Sequence, residues 1–484
     1  MRVCLLNPPF KSFFSKTSRW PETSKSGTFY YPFWLAYATG VLEAEGYDAI
    51  LIDAPATQAS TERVIDVITS YEPELIVAET STPSLFNDAA VLEKIKRDLP
   101  NVKSVLVGPH VSVLAEETLK QFPAIDMIAR KEFDYTLVDI AQNVESSNED
   151  YSRVLGITWR DGARIKSNPD RPLIEDLDAI PFVSNVYKRH LDIYRYYYTI
   201  TLYPMVQIFT GRGCPYRCTF CLWPQTFMGR KLRVRSAKNV VDELEYIQSD
   251  LPQVKETFLE DDTFTVNKKR IVDICDEIAS RGLDITWSAN ARADISLEVL
   301  MAMKRAGCRL LVIGYEAGNQ GILDNIKKGI TLERMRKFTK NCKKVGIKLH
   351  ACYMMGLPGE TPETIGDTIR FAKELNTDMA QFQVAIPFPG TEFFSWCKEN
   401  DYLVTQNPTR WVDEFGVLDS LINYPELPGE YVKAMADWAT VNYYLRPGFF
   451  VLATRWLLED PREMKRFLRS ATNFLSYLLF KRTS

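Results

Sequence analysis

Three cysteines fall within eight residues, Cys214, Cys218 and Cys221, in the run Gly211-Arg212-Gly213-Cys214-Pro215-Tyr216-Arg217-Cys218-Thr219-Phe220-Cys221. Three intervening residues and then two let one loop wrap its thiolates around three irons of a cubane cluster. The fourth iron is then left without a protein thiolate, and an open position of that kind binds a small ligand. Gly211 and Gly213 allow the backbone to approach closely. Phe220, between two of the ligands, can shield the cluster. A zinc loop is the alternative. Zinc prefers four ligands in pairs, and no fourth Cys or His lies near these three. The other six cysteines are scattered singly on segments that read as core.

Such a loop needs a scaffold, and residues 205–400 alternate between strand and helix signals. Strands are expected at Val206–Thr210, Glu256–Glu260, Ile285–Ala289, Leu310–Tyr315, Lys348–Met355 and Gln381–Pro387. Helices are expected at 237–249, 267–281, 296–306, 319–326, 332–345, 362–375 and 391–399. Six strand–helix units fit a partial parallel (β/α)6 barrel, with chemical groups at the carboxyl ends of the strands. Four such ends carry candidates. Glu260, Asp261 and Asp262 end the second strand and could accept hydrogen bonds from an ammonium group; helix capping by Asp262 or Thr263 is the plainer role. Arg292 follows the third strand and could hold a carboxylate, or form a structural ion pair. Glu316 ends the fourth, where a carboxylate can accept two hydroxyl hydrogen bonds; an exposed loop Glu is the alternative. Gly356 and Pro358 follow the fifth, on a tight path that Thr361 could close as a helix cap.

The first 145 residues alternate in the same way but with shorter elements. Val3–Leu6, Ala49–Ile52, Leu75–Val77, Val105–Val107 and Ile125–Ile128 are short apolar runs closed by turn residues, with amphipathic stretches near 34–45, 61–70, 87–97 and 112–121. That pattern is a doubly wound parallel sheet of Rossmann type. Its ligand edge would hold Asn7, Pro8, Thr80, Ser81, Gly108, Pro109 and His110. Residues 151–204 read as a connector with a hairpin around Asp161-Gly162 and an aromatic cluster at Tyr194, Tyr196, Tyr197 and Tyr198. Residues 401–484 read as a mostly helical region. The expected domains are therefore 1–150, 151–204, 205–400 and 401–484.

Across 484 residues, 46% are hydrophobic and 25% charged, as in soluble globular chains. The balance of 59 Lys+Arg against 62 Asp+Glu gives a net charge of −3, which leaves no electrostatic footprint for nucleic acid. The start lacks the features of a signal peptide. No uninterrupted apolar run is long enough to span a membrane. Nine cysteines, odd in number and unevenly spaced, fit reduced thiols in a cytoplasm. In the tail, Trp456-Leu457-Leu458 through Leu478-Leu479-Phe480 carries apolar residues on one side. Arg462, Lys465, Arg466, Arg469, Lys481 and Arg482 are interleaved. That suits a helix on an anionic membrane surface at the inner face; a helix packed on the barrel is the alternative.

The cysteine motif and the strand ends after it resemble the radical S-adenosylmethionine superfamily. The resemblance implies a [4Fe-4S] cluster whose open iron binds the amino and carboxylate groups of S-adenosylmethionine. Reductive cleavage then yields a 5′-deoxyadenosyl radical that takes hydrogen from a substrate. It places Glu260, Asp261, Asp262 and Arg292 near the methionine part, Glu316 on the ribose, and Gly356 and Pro358 near adenine. An electron donor such as ferredoxin or flavodoxin is implied as partner. The N-terminal domain resembles the cobalamin-binding domain of related radical methylases, through Leu6-Asn7-Pro8-Pro9, Val107-Gly108-Pro109-His110 and Glu132-Phe133-Asp134. The Asp-x-His-x-x-Gly motif that gives cobalt a histidine elsewhere is absent. His110 is therefore read as a loop residue near the corrin, not an axial ligand.

Within that branch, Phe29-Tyr30-Tyr31-Pro32-Phe33-Trp34-Leu35-Ala36 and Cys218-Thr219-Phe220-Cys221-Leu222-Trp223-Pro224-Gln225-Thr226 are similar to hopanoid-biosynthesis enzymes that reshape a cyclitol head group. Archaeal calditol-lipid synthase and the anaerobic magnesium-protoporphyrin ester cyclase are similar too. The expected reaction is hydrogen abstraction from an unactivated carbon of a membrane lipid or its sugar-like head group, followed by ring contraction or carbon–carbon bond formation. The alternatives are a cobalamin-dependent C-methyltransferase, a tetrapyrrole cyclase-like enzyme and a non-catalytic iron–sulfur or B12 sensor.

Overall fold

Runs of Val, Ile and Leu closed by Pro, Asp or Gly form the strands of two parallel sheets. The computed structural model describes residues 1–147, 150–459 and 461–481. In the first sheet the order is Asp48–Asp53, Arg2–Asn7, Leu75–Glu79, Lys103–Val107 and Met127–Ala129, all parallel. The winding reverses between Arg2–Asn7 and Leu75–Glu79, so Asn7 and Thr80 flank the crevice where doubly wound sheets bind ligands. The hairpin Ile157–Asp161 and Arg164–Ser167 does not stand apart as a connector. It pairs antiparallel with Met127–Ala129 and extends this sheet to residue 167, beyond the expected boundary at 150.

The second sheet has six parallel strands in sequence order: Met205–Ile208, Glu256–Leu259, Trp287–Ala291, Cys308–Glu316, Lys348–Met355 and Met379–Val384. Its first and last strands do not pair, which makes it the open barrel that the alternation predicts. Helix Gly429–Tyr444 packs over the last strand. There the Tyr444 hydroxyl donates to the Ala380 carbonyl at 2.9 Å and accepts from its N–H at 3.1 Å. Helices Pro447–Glu459 and Pro461–Lys481 follow, each opened by a proline.

Helix Phe33–Ala44 joins the two units. It is apolar around most of its circumference, and residues 33–42 are all buried, as a helix with neighbours on several sides requires. Its Trp34 ring meets Phe209 at 4.5 Å and Trp223 at 5.3 Å between centroids. Among the described residues, no helix is long and apolar enough to cross a membrane.

Candidate active site

The cysteine loop leaves the first barrel strand through a short ribbon, Gly211–Arg212 paired with Arg233–Val234. Gly213 sits at φ +84°, and a Cβ there would lie 2.3 Å from the Lys231 carbonyl oxygen. Only glycine fits this approach. Gln225 braces the loop from within. Its amide donates to the carbonyls of Thr219 at 3.1 Å and Cys221 at 2.7 Å, and its oxygen accepts from the Glu392 N–H at 3.0 Å. Cys214, Cys218 and Cys221 all line one cavity of about 660 Å³. Among the described residues, no group of three His, Cys, Asp or Glu side chains converges on a point that a single ion could occupy. Burial, and then Asp262, raises the Cys214 and Cys221 thiols above the usual range. A backbone N–H and the Thr263 hydroxyl act the other way on Cys214, and Arg19 does so on Cys221; a bound cluster would add the positive charge of its irons.

The carboxyl ends of the barrel strands supply the polar wall of that cavity, and the structure separates three neighbouring carboxylates. Asp261 is consumed by Thr210, accepting from its N–H and its hydroxyl at 2.6 Å each. Glu260 accepts from Gln207 at 2.9 Å, from Asn290 at 3.2 Å and from Arg19. Asp262 is buried, faces the cavity and makes no hydrogen bond through either oxygen; the Arg19 guanidinium is 3.7 Å away. Burial raises its carboxyl to about 6. Neither Asp262 nor Thr263 caps a helix through its side chain; Asn267 caps the next one. The Asp262 side chain is thus a buried carboxylate in the cavity wall beside the cysteines, with Arg19 as its counter-charge. An ammonium group would satisfy it.

Arg292 stacks on Tyr216 at 3.9 Å, lies 3.6 Å from Asp294 and donates to the Gly329 carbonyl at 2.8 Å. It serves as structural ion pair and cavity wall together. Glu316 holds a left-handed backbone, φ +67°, a conformation that non-glycine residues adopt at a cost. Its carboxylate is fixed by Lys328 at 2.7 Å, with both groups on the cavity. Burial works against the charge on Lys328, but Glu316 holds its amine above the usual range. Phe220 lines the cavity as expected. Gly356 and Pro358 do not line it. Their loop is organised by Glu360, which accepts from the Gly356 and Leu357 N–H groups at 2.5 and 3.0 Å, and by Thr361, which forms a capping box with Thr364.

Arg19, Lys328 and Gln225 are therefore site residues that motif reading misses. Gln225 lies inside a quoted motif and could have been flagged as a loop brace. Arg19 and Lys328 carry no local signal, because each acts on a strand end far away in sequence. Two further pairs fasten the cysteine ribbon to the N-terminal domain. Arg212 forks onto Asp134 at 2.8 and 3.1 Å, and Arg233 onto Glu132 at 2.6 and 2.7 Å, all four buried. Removing one partner leaves a buried charge uncompensated. Arg212→Met is expected to lower unfolding stability by about 3–5 kcal/mol in denaturant titration. The double variant Arg212→Met/Asp134→Leu should recover part of that loss.

At the edge of the N-terminal sheet, Asn7, Pro8, Thr80, Ser81, Gly108 and His110 are all buried, and Pro109 partly so. Asn7 donates to Asp53 at 2.9 Å, the Ser81 and Ser84 hydroxyls meet at 2.9 Å, and His110 Nδ1 lies 3.0 Å from the Thr82 hydroxyl. Burial lowers His110 to about 4, so its ring is neutral. The Asn7 amide oxygen and one oxygen each of Glu79 and Asp88 are buried there without hydrogen-bond partners. Polar atoms of that kind suit a ligand rich in amides, so the residues fit cobalamin in their chemistry. The chain's own Lys16 is packed among them. Its buried amine donates to Asp88 at 2.5 Å and to the Pro8 carbonyl at 2.9 Å. A cobalamin that used these atoms would compete with Lys16 for Asp88. Lys16→Met should accordingly speed cobalamin uptake, read from the visible absorption of the loaded protein. Unchanged uptake would show that the cofactor enters elsewhere.

The radical SAM superfamily model matches residues 208–372 and the B12 binding domain model matches residues 22–141. An uncharacterized methyltransferase of Pyrococcus horikoshii is 32% identical over 92% of this chain and 93% of its own. The anaerobic magnesium-protoporphyrin IX monomethyl ester cyclase of Rubrivivax gelatinosus is 31% identical over 81% of this chain and 69% of its own. In fold, the chain is similar to the radical S-adenosylmethionine methyltransferase TsrM from Kitasatospora setae, solved with cobalamin and a [4Fe-4S] cluster. The match covers 99% of both chains with a TM-score of 0.72 at 16% identity. The cofactor set is therefore a [4Fe-4S] cluster, S-adenosylmethionine and cobalamin, and the chain belongs to the radical S-adenosylmethionine superfamily, in the branch that carries an N-terminal B12-binding domain.

Proposed function

We propose that this enzyme is a cobalamin-dependent carbon methyltransferase acting on an extended, largely apolar substrate. The observation that carries the reading is the full-length similarity to a methyltransferase at 32% identity. The head-group ring contraction expected from the sequence has no support among these relatives. A cyclase activity is the second reading, favoured by the 31% identity to the ester cyclase.

The chemistry supplied by the bound groups is one-electron reduction of a sulfonium from the cluster and methyl carriage by the cobalamin. The chain's own residues do the rest. Cys214, Cys218 and Cys221 would hold three irons and leave the fourth for S-adenosylmethionine. Asp262 would accept hydrogen bonds from the ammonium group, and Arg292 would pair with the carboxylate. Glu316, immobilised by Lys328, accepts the ribose hydroxyls. Phe220 and Trp223 keep water from the loop, since both are buried against it. Beyond this polar end the cavity continues between the aromatic side chains of Phe449, Phe467 and Phe474, which suit an apolar body. A low-potential one-electron donor of the ferredoxin or flavodoxin kind supplies the reducing equivalents.

The test is an anaerobic assay with reconstituted holoenzyme, S-adenosylmethionine, reductant and a total lipid extract, read by mass spectrometry. Each methyl transferred consumes two S-adenosylmethionine molecules. One leaves as S-adenosylhomocysteine. The other leaves as methionine and 5′-deoxyadenosine, which carries the hydrogen taken from the substrate. Equal amounts of the two nucleoside products support methyl transfer. Substrate-dependent 5′-deoxyadenosine without S-adenosylhomocysteine overturns it in favour of cyclisation or rearrangement.

A further inference from the structure

The large apolar side chains most open to solvent concentrate on the last three helices, and their spacing is regular. Trp438 and Leu445 lie on Gly429–Tyr444 and its cap, Val451 and Leu458 on Pro447–Glu459, and Leu468 and Leu475 on Pro461–Lys481. Each pair is seven residues apart, so both members share one helix face. Leu458 is 82% exposed, Val451 73% and Leu445 65%. A water-soluble protein has no use for such a set of open apolar faces unless something covers them.

The opposite faces of these helices are anchored. Arg466 is not on the outer basic side that the tail's sequence suggests. It is buried, lines the cavity and donates to the Thr199 carbonyl. Asn473 donates to the Ser26 carbonyl at 3.1 Å, and Arg469 lies 3.9 Å over the Tyr197 ring. Trp456 is likewise buried. The side chains of Arg462 and Lys481, and Arg482 entirely, lie outside the described residues. The helices thus form a roof fixed to the body on one side and apolar on the other. Leu445, Phe450 and Leu475 are each more than half exposed and also line the active-site cavity. The cavity mouth therefore opens through the apolar face itself.

We propose that this roof docks on an anionic lipid surface and that the substrate, a lipid with a long apolar body, enters the cavity from the membrane through that mouth. The proposal deepens the methyltransferase reading and rests on it only for the chemistry that follows entry. Charge selects the occupant. Leaving out Arg446 and Arg466, which turn inward, the sequence from Leu445 to the end carries Arg455, Arg462, Lys465, Arg469, Lys481 and Arg482 against Glu459, Asp460 and Glu463. An anionic bilayer complements that excess. A second copy, docked by the same face across a two-fold axis, would set the same positive charge against itself.

The experiment is co-sedimentation of the full-length holoprotein with vesicles of phosphatidylcholine alone or mixed with phosphatidylglycerol. The expected result is binding at least about tenfold stronger to the mixed vesicles, weakened by salt. The variant Val451→Asp/Leu458→Asp should bind at least about tenfold more weakly, and Lys465→Glu should lose part of the preference for phosphatidylglycerol. Unchanged melting and iron content would confirm that both variants fold. Absence of binding to either vesicle, or full binding by the Val451→Asp/Leu458→Asp variant, would overturn the proposal. So would self-association in the absence of lipid that the same variant abolishes, which would assign the face to a second copy. Vesicle binding without methylated product would leave the docking surface standing and remove the methyltransferase reading instead.

Discussion

Cys218→Ala is expected to leave a folded protein without its cluster and without either half of the reaction. One ligand of three is gone, and neither Cys214 nor Cys221 can hold the other irons in a loop that is pinned by Gln225 and Gly213. Iron and sulfide should fall to background after reconstitution. Formation of 5′-deoxyadenosine should drop by about 10³-fold or more, as when one member of a unit is removed. The fold should persist, because the loop's backbone contacts do not involve the thiol. Cys352→Ala is the internal control. Cys352 faces the same cavity from the fifth barrel strand but stands outside the motif, so its loss should leave iron content unchanged. A Cys218→Ala protein with full iron and full turnover would refute the ligand assignment.

Asp262→Asn is expected to weaken S-adenosylmethionine binding by about 10- to 100-fold with the cluster intact. The amide has nearly the same shape but no charge, and a hydrogen bond to a charged group contributes about 1.5–3 kcal/mol. Asp262 has no partner within hydrogen-bond distance and pairs only loosely with Arg19 at 3.7 Å, so the change should cost the fold little and appear in the cofactor KM. Glu260→Gln provides the contrast. Its carboxylate is already engaged by Arg19, Gln207 and Asn290, so that change should lower stability and loosen the Arg19 segment. If Asp262→Asn bound the cofactor as the wild type does while Glu260→Gln lost it, the ammonium site would move to Glu260.

The alternation of short apolar runs with amphipathic stretches was enough to foresee both parallel sheets, since a strand buried on both faces needs an apolar run and its crossover helix needs one stripe. The hairpin at 157–167 was legible in the sequence, but its membership of the first sheet was not, because its edge partner, Met127–Ala129, is a three-residue strand. The basic tail misled in part because interleaved arginines look alike in sequence, whereas Arg466 turns inward to Thr199.

The sequence by itself determined that three thiols lie close together. Three thiols within eight residues of one loop are held together by covalent chain geometry, whatever surrounds them. It also determined that Glu260, Asp261 and Asp262 end a strand beside that loop. Which of the three is free for a ligand was decided only by the tertiary structure, because the choice depends on partners brought from elsewhere. Thr210 consumes Asp261, and Arg19, 241 residues away in sequence, consumes Glu260. The same holds for Lys328 on Glu316 and for Lys16 in the edge of the N-terminal sheet. A buried charge must find its counter-charge wherever packing provides one, and no local pattern records where that is.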